Sequence, residues 1–420
     1  MIGYSNRTIK GFERFISPIL NEVKDNDELA NFFREWAVVP FFGNNEASSD
    51  SFLNFLIKLS EISSTTGSSV QRRSDFTCGG FELHKGRATG FTNFRRPASS
   101  LKESYVEFCL EFIDRITGNE GIAYLQDAAE NVNNNLDVVG NGYFEVVLSK
   151  VAGEPFAKIN YYDATELRYL VSERNDPKRL LVSPCFEWWY MVKNRPSVVP
   201  VYPLIEEVEG VQRTIIPIKH NWIGRYWYGL NTSISSVYYQ YLEWQNADYL
   251  TKETNSRFTG KILFDYEVHQ DDTDEDLDEF EANFDKTFTV KGLARTYVLS
   301  GRPSGSDPVS VTQFKANTNE KFHETLQRIS EDKIIASFNW YTRLLYDRHS
   351  GLGGDELKSI FKMASQTVKP RQNKIALALN KAIQLCAKHL GEKAMEQYVL
   401  QFPSLYKLHF QDELEADKEV

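Results

Sequence analysis

The feature that most constrains the fold is a pair of long helical patterns that a glycine-rich break separates. Within residues 320–386, apolar residues recur at steps of three and four, which is the spacing of one helix face. The break, residues 346–354, contains three glycines, and Asp355 and Glu356 follow it as acids that suit a helix N-terminus. Pro370 lies inside the second pattern and predicts a kink or a restart there. The sequence therefore predicts two extended helices joined by a mobile loop.

Outside this helix pair the sequence mixes helical and strand patterns, which predicts the α+β fold class. Helical spacing covers residues 104–116 and 231–257, and strand patterns at 143–148 and 157–162 flank a turn at Gly153, which predicts a β-hairpin. Shorter apolar runs predict strands at 180–184, 187–192, 198–202, 214–218, 262–264 and 297–299. Composition rich in Ser, Gly and Asn predicts loops at 63–69 and 119–141.

Composition excludes several classes of protein. Hydrophobic residues make up 41% of the chain, enough for substantial cores, so the chain is not disordered. The first residues lack the apolar core of a signal peptide, and no apolar run is long enough to span a bilayer. The cysteines are scattered without a C-x-x-C pair, which argues against a disulfide framework and a zinc site: Cys78, Cys109, Cys185 and Cys386. These observations predict a soluble, non-secreted protein without a membrane partner.

The net charge of −10 is concentrated in one stretch. Residues 265–285 contain eleven Asp or Glu and no Lys or Arg. The stretch lacks the glycine and the terminal glutamate of an EF-hand loop, so we interpret it as a solvated face on a short helix rather than a calcium site. Residues 355–393 are basic instead. Such a face is usually plain surface, but its place directly after the glycine-rich break favours a function.

Motifs of known enzymes are missing from the sequence. It contains no G-x-x-x-x-G-K-[ST] phosphate loop and no H-E-x-x-H metal motif. Residues 86–90 and 140–142 are short glycine motifs that we interpret as turns. His349 has no Ser, Cys or carboxylate partner at a meaningful spacing and reads as an exposed loop histidine. No catalytic residue, metal or cofactor is predicted.

The order of these parts resembles the portal protein of tailed bacteriophages, the ring at one capsid vertex through which DNA enters and leaves. Residues 140–149, G-N-G-Y-F-E-V-V-L-S, are similar to a strand of the portal wing, and residues 224–230 are similar to the Y-G-x-S segment before the first stem helix. Residues 319–345, the break and residues 353–380 resemble the second stem helix, the tunnel loop and the kinked tunnel helix. The chain departs from the family at Asn231, where Y-G-x-S has no matching serine, and in its long acidic insert.

The resemblance implies an elongated subunit and a division of the chain into named parts. Residues 1–230 would form an αβ wing, 231–257 the first stem helix, 258–316 a small β-containing clip and 317–345 the second stem helix. Residues 346–354 would be the tunnel loop, 355–391 the tunnel helix, and 392–420 a short C-terminal segment with a reduced or absent crown.

The resemblance also implies a function without catalysis. The protein would form a closed homo-oligomeric ring, of about twelve copies as in that family, with head-to-tail contacts between neighbours. Its partners would be double-stranded DNA in the channel, the terminase packaging motor, the major capsid protein and tail adaptor proteins. It would reside in the virion, and in the host cytoplasm during assembly.

Particular residues follow from these expected roles. The DNA-facing loop residues would be Arg348, His349, Ser350, Gly351, Gly353 and Gly354, and the basic residues Lys358 and Lys362 would line the channel. The long aromatic stripes predict a subunit interface that includes Tyr241, Trp244, Phe322, Leu326 and Phe338. The residues themselves leave two other classes open, a nucleic-acid-processing enzyme without a recognisable motif and a monomeric binding module.

Overall fold

The structure is a computed structural model of the 420-residue chain. It describes residues 38–39, 41, 51–85, 103–151, 153–170, 178–186, 188–223, 225–256, 260–268, 278–280, 282–283, 297–303, 305, 314–315, 320–345 and 354–406. The chain divides into two compact units. The first comprises Met1–Val237 and Ile334–Val420, and the second comprises Tyr238–Lys333.

The first unit is a mixed α+β domain. Its helices are α1 (Ser51–Ile62), α2 (Ser64–Cys78), α3 (Glu103–Thr117), α4 (Gly121–Val138), α5 (Trp188–Lys193), and, later in the chain, α8 (Thr342–Leu345) and α9 (Gly354–Leu390). Its strands are β1 (Glu82–Lys85), β2 (Asn141–Val151), β3 (Glu154–Tyr162), β4 (Leu167–Tyr169), β5 (Arg179–Val182), β6 (Ser197–Pro200), β7 (Glu206–Val208), β8 (Val211–Lys219) and β12 (Tyr398–Gln401).

The second unit is built on helices α6 (Val237–Ser256) and α7 (Glu320–Ser337). The first residue of α6 and the last four residues of α7 belong to the first unit. Between them the chain forms strands β9 (Gly260–Val268), β10 (Tyr297–Pro303) and β11 (Phe314–Lys315). The three strands make one sheet in the order β10-β9-β11, with β10 parallel and β11 antiparallel to β9.

A four-stranded sheet in the order β3-β2-β8-β7 organises the first unit. The predicted hairpin is its edge pair, with Tyr143 opposite Tyr162 and Val151 opposite Glu154. Successive residues of β2 lie in different hydrophobic cores. Phe144 packs with side chains of α4 and α9, whereas Tyr143 packs with side chains of α1 and β4. Because strand β2 is covered on both faces, residues 143–148 are apolar at successive positions except Glu145, which is buried and pairs with Arg213.

Helix α9 supplies one side of the larger core. Its buried residues recur at the predicted four-residue step and are fully covered: Ile375, Leu379, Ile383 and Cys386. Two amides on the same helix bond other parts of the unit. Gln372 Nε2 donates to the carbonyls of Phe76 and Thr77 at the end of α2, 3.1 and 3.0 Å away. Asn380 exchanges two hydrogen bonds with the Leu400 backbone and so holds strand β12 against α9.

Several predicted elements differ from the structure. The Asn-rich residues 119–141, predicted as a loop, form helix α4, because Leu125, Val132 and Leu136 share a buried face and because asparagine amides bond carbonyls one turn back, as Asn131 does at 2.9 Å. The predicted loop 63–69 is the start of α2, where the Ser63 side chain caps the backbone N–H of Thr66.

Two further expectations about local structure need correction. Residues 187–192 were predicted as a strand, yet Trp188–Lys193 is the short helix α5. Pro370 does not restart its helix, since α9 is continuous from Gly354 to Leu390 and contains the second helical pattern of the sequence. The alternative, a kink at Pro370, stays a prediction. Among the described residues, no helix is long and apolar enough to cross a lipid bilayer.

Candidate assembly surface and cationic cavity

Helix α6 buries polar residues and exposes aromatic ones, which is the reverse of an ordinary surface helix. The residues that it buries are polar, at a three-residue step: Gln240, Glu243 and Asn246. The residues that it exposes include five large apolar ones beside Gln245, Ala247 and Thr251: Tyr238, Tyr241, Trp244, Tyr249 and Leu250. A soluble helix normally directs its apolar face inward. The outward face of α6 is therefore a large apolar surface that the second unit leaves uncovered.

Helix α7 also exposes two apolar residues in the second unit, although most of its exposed residues there are polar. Phe322 is 58% exposed and Ile329 is 43% exposed, while Ser330 and Glu331 are buried. A polar contact joins the two helices, because His323 Nδ1 donates to Asn246 Oδ1 at 2.7 Å and the His323 ring stacks on Tyr249 with centroids 5.2 Å apart. Polar groups thus hold the helix pair together, while its aromatic groups face outward. We call the exposed apolar residues of α6 and α7 the stem face.

The predicted interface residues fall into two groups. Tyr241, Trp244 and Phe322 belong to the stem face, and Leu326 is half-buried. Phe338 is different, since it has no exposed surface and lies inside the first unit, with the Arg73 guanidinium 5.6 Å from its ring centroid. The prediction that Phe338 lies at the subunit interface is therefore wrong. The stripe along 322–345 crosses from one compact unit to the other, and only its first part is exposed.

The predicted DNA-facing loop lies almost wholly outside the described residues. Gly354 is the first residue of α9. The structure does not describe the other five: Arg348, His349, Ser350, Gly351 and Gly353. The two basic residues that follow are on the first turns of α9, where Lys358 is half-buried and Lys362 is exposed. Their contact with DNA stays a prediction.

Two glycine motifs that are distant in the sequence meet in the first unit. His220 N–H donates to the Gly140 carbonyl at 2.9 Å, and Gly229 N–H donates to Asn141 Oδ1 at 2.7 Å. Gly140 has a φ of +84°, and a Cβ there would lie 2.3 Å from the Leu230 carbonyl carbon. Only glycine permits so close an approach of two backbones. We call this contact the glycine crossing.

His220 of the glycine crossing, together with Lys219, forms one wall of a cavity with a volume of about 250 Å³. Helix α9 forms another wall with Pro370 and the residues beside it. Four of the lining side chains are cationic: Arg73, Lys219, Arg371 and Lys374. The remaining lining residues are Leu136, His220, Thr232, Phe338, Asn339, Thr367 and Pro370. We call this space the cationic cavity.

One buried carboxylate, that of Asp137, is shared by two guanidinium groups beside the cationic cavity. Arg73 Nη1 donates to Asp137 Oδ1 at 2.9 Å, and Arg371 Nη1 forms an ion pair with the same oxygen. Thr232 Oγ1 donates to that oxygen at 3.0 Å and accepts from Arg371 Nη2 at 2.8 Å. The cluster joins α2, α4, α9 and the segment before α6.

Burial and ion pairing shift the pKa values of Asp137, Arg73 and His220. Burial by itself would raise the pKa of Asp137, but Arg371 and Arg73 outweigh that effect and hold the pKa below its usual value. Burial lowers the pKa of Arg73 to about 10, although Asp137 partly offsets the shift. Burial also lowers the pKa of His220. Its Nδ1 donates to the Leu230 carbonyl at 3.0 Å, and this hydrogen bond partly offsets the effect of burial on the pKa.

The three buried thiols of the first unit, those of Cys78, Cys109 and Cys386, are unsuited to nucleophilic chemistry. Burial raises the pKa of Cys109 to about 11, and it raises the pKa values of Cys78 and Cys386 further. A cysteine nucleophile needs a lowered pKa. Among the described residues, no group of three or more His, Cys, Asp or Glu side chains is arranged to hold a metal ion.

Sequence reasoning missed the cationic cavity, because its residues come from six separate segments. Arg371 and Lys374 count among the basic residues of the predicted helix, and the glycine motifs at 140–142 and 224–230 were recognised singly. No spacing in the sequence indicates that Arg73 and Asp137 would meet them. The signal that was available is the pair of glycine motifs, since each marks a place where a backbone approaches another group closely.

Three solved structures with similar backbones come from gene transfer agent particles. The chain is similar to a chain in the virion of the native particle, with 15% sequence identity, a TM-score of 0.49, and coverage of 87% of this chain and 89% of that one. It is similar at the same identity and TM-score to chains in the neck of the empty particle computed with C6 symmetry and of the native particle computed with C12 symmetry. These cover 86% and 91% of this chain, and 88% and 91% of the respective chains.

Likeness at this level carries no argument about the function of this chain. No protein-family model matches the sequence, and no curated protein is similar to it. The fold itself is of the α+β class, as the sequence predicts.

Proposed function

We propose that the protein is a structural component of a phage-like particle, and specifically a portal: a ring at the capsid vertex that forms the channel for genome packaging and ejection. The observation that carries the proposal is the stem face. Two helices that bond each other through His323 and Asn246 leave Tyr241, Trp244 and Phe322 uncovered. Exposed apolar patches of this kind mark interaction sites. A second copy of the same chain is the partner that a ring supplies.

The order of elements supports the same proposal. A helix, a small three-stranded sheet and a second helix follow one another in the second unit, as stem, clip and stem do in the family that the sequence resembles. In this proposal α6 and α7 are the stem helices, and the strands β9 to β11 belong to the clip that docks the terminase motor and then the tail adaptors. Helix α9 is the tunnel helix, and residues 346–354 are the loop that meets double-stranded DNA.

The remaining parts of the proposal concern location and role. The wing, built on the sheet β3-β2-β8-β7, meets the major capsid protein in the virion, and the rings form in the host cytoplasm before that. The protein acts without catalysis, because its role is to position DNA and partner proteins. Mobile basic groups such as Arg348 suit a channel, since a few weak phosphate contacts per subunit let the duplex slide.

Substitution within the stem face tests the proposal. Trp244→Asp places a charge in the proposed contact, where an unpaired buried charge costs several kcal/mol. We expect the variant to fold as the wild type does, by circular dichroism, but to remain a protomer or small oligomer in mass photometry while the wild type forms rings. Tyr105→Asp is the matched control, because Tyr105 is an aromatic residue of similar exposure on helix α3 of the first unit.

The two outcomes are clearly separated. Loss of rings in Trp244→Asp with rings retained in Tyr105→Asp supports assembly through the stem face. Wild-type protein that stays monomeric at every concentration, or a Trp244→Asp variant with unchanged assembly, contradicts it.

A further inference from the structure

The cationic cavity contains more positive charge than its surroundings balance. Its wall includes two guanidinium and two ammonium groups, and the one carboxylate that pairs with them is Asp137. Among the described residues, neither Lys374 nor Lys219 has a carboxylate within ion-pairing distance. Both lysines are half-buried, and four cations around one carboxylate repel one another. A further anion would relieve that repulsion.

The donors of the cavity are held in place before any ligand arrives. Arg371 is fixed by Thr232 and Asp137, and Arg73 is fixed by Asp137 and by the Phe338 ring. Arg73 Nε is buried and has no hydrogen-bond partner in the part of the chain that the structure describes. Lys219 Nζ donates to the Tyr226 carbonyl at 2.6 Å, which orients its ammonium group. Donors ordered in this way bind an anion without a large loss of side-chain entropy.

We propose that the cationic cavity is a binding site for a phosphate group. Three uncompensated positive charges suit a multiply charged anion better than a single carboxylate, and the planar guanidinium fork matches phosphate oxygens. A volume of about 250 Å³ accommodates a tetrahedral phosphate together with water. The phosphate is either a free inorganic ion or part of a nucleic-acid backbone. The proposal does not depend on ring formation, because every lining residue belongs to the first unit of one chain.

The site also has a structural consequence for helix α9. Thr367, Pro370, Arg371 and Lys374 lie along one side of the helix at the cavity. Pro370 lacks a backbone N–H and cannot bond the carbonyl one turn back, which weakens the helix at this point. A phosphate that bridges Lys374 to Lys219 would join α9 to the end of β8. Binding should therefore stabilise the first unit measurably.

Phosphate titration of the full-length chain tests the proposal. Unfolding temperature and calorimetric heat are measured against inorganic phosphate, with sodium chloride at matched ionic strength as the reference. We expect a saturable stabilisation by phosphate that Lys374→Ala weakens about tenfold in apparent Kd, since a charge-assisted hydrogen bond is worth about that factor. Lys219→Ala should weaken it similarly. Lys388→Ala, an exposed lysine in the last turn of the same helix, is the control and should bind as the wild type does.

Competition with a short double-stranded DNA identifies the source of the phosphate. If the duplex displaces inorganic phosphate and its own affinity falls in Lys374→Ala, the ligand is a nucleic-acid backbone; if phosphate binds and the duplex does not displace it, the ligand is the free ion. Both outcomes support the site. No saturable effect of phosphate beyond that of chloride, or equal effects of Lys374→Ala and Lys388→Ala, would overturn it.

Discussion

Gly140 and Gly153 share nearly the same backbone conformation, with φ of +84° and +92°, but their surroundings differ. Nothing lies within 4 Å of a Cβ built on Gly153, whereas one built on Gly140 meets the Leu230 carbonyl carbon at 2.3 Å. Both alanine variants carry the strain of a positive φ, so their difference isolates the steric effect of the glycine crossing. Comparing the two alanine variants therefore measures the steric cost of a methyl group at the glycine crossing.

We predict that Gly140→Ala lowers the free energy of unfolding by about 2–3 kcal/mol more than Gly153→Ala does, because the backbones at the crossing must separate. Urea denaturation followed by tryptophan fluorescence measures both. Equal losses in the two variants would mean that the crossing adjusts to a methyl group without cost.

Asp137 connects local charge to the stability of the whole first unit. Its carboxylate is fully buried and pairs with Arg73 and Arg371. Asp137→Asn removes the charge and leaves two buried guanidinium groups without their acid, which costs about 3–5 kcal/mol when one partner of a buried pair is lost. We predict this loss of unfolding free energy at pH 7, measured by urea denaturation of the variant and the wild type.

The pH dependence of that loss has a definite sign. The pKa of Asp137 is lower in the folded protein than in the unfolded chain, so its contribution is present above the unfolded value of about 4 and is lost as the pH falls toward the folded value. The difference in stability between the wild type and Asp137→Asn should therefore shrink below about pH 4. If the difference in unfolding free energy stayed constant from pH 7 to pH 3, the charge of Asp137 would not be what stabilises the folded protein.

At the scale of whole elements, helix α7 and the residue after it contain two phenylalanines with opposite roles. Phe338 has no exposed surface, whereas Phe322 is 58% exposed on the stem face. We predict that Phe338→Ala lowers the unfolding free energy of the protomer by about 3–5 kcal/mol, the usual cost of deleting a buried aromatic ring. Phe322→Ala should leave protomer stability almost unchanged and weaken assembly instead. Denaturation of the protomer and mass photometry separate these effects, and equal destabilisation by both variants would contradict the assignment.

Elements with a strong helical period were predictable from the sequence. Helix α9 extends from Gly354 to Leu390 and contains the apolar pattern that the sequence shows up to Cys386, although Pro370 lies within it. Helix α4 was missed because its asparagines favour loops when they are considered one at a time. In the folded chain Asn131 and Asn135 bond carbonyls one turn back, and the apolar side of α4 packs on the core.

The candidate sites differed in how far the sequence could predict them. Tyr241, Trp244 and Phe322 were predicted as interface residues from an aromatic stripe on a long helix, and the structure exposes them. Their place in an interface stays a prediction. Phe338 fits the same stripe but lies beyond the boundary between the two compact units, which periodicity does not reveal. The cationic cavity depends on tertiary contacts between residues as distant as Arg73 and Arg371, and no local pattern encodes those.

At the scale of the whole molecule, the stem face and the order of elements lead to one claim, that the protein assembles into a closed ring. Its exposed aromatic residues lie on the two helices that would line such a ring, and neighbouring copies would cover them. Closure by rotation satisfies every copy equally, and an open chain of copies would leave the face uncovered at one end.

Electron microscopy of the purified full-length chain in negative stain tests this claim most directly. We predict closed rings with a central opening and rotational symmetry, and a native mass of several hundred kilodaltons in the same sample. A uniform population of 48.4 kDa monomers at all protein concentrations, with no ring in any class average, would contradict the account.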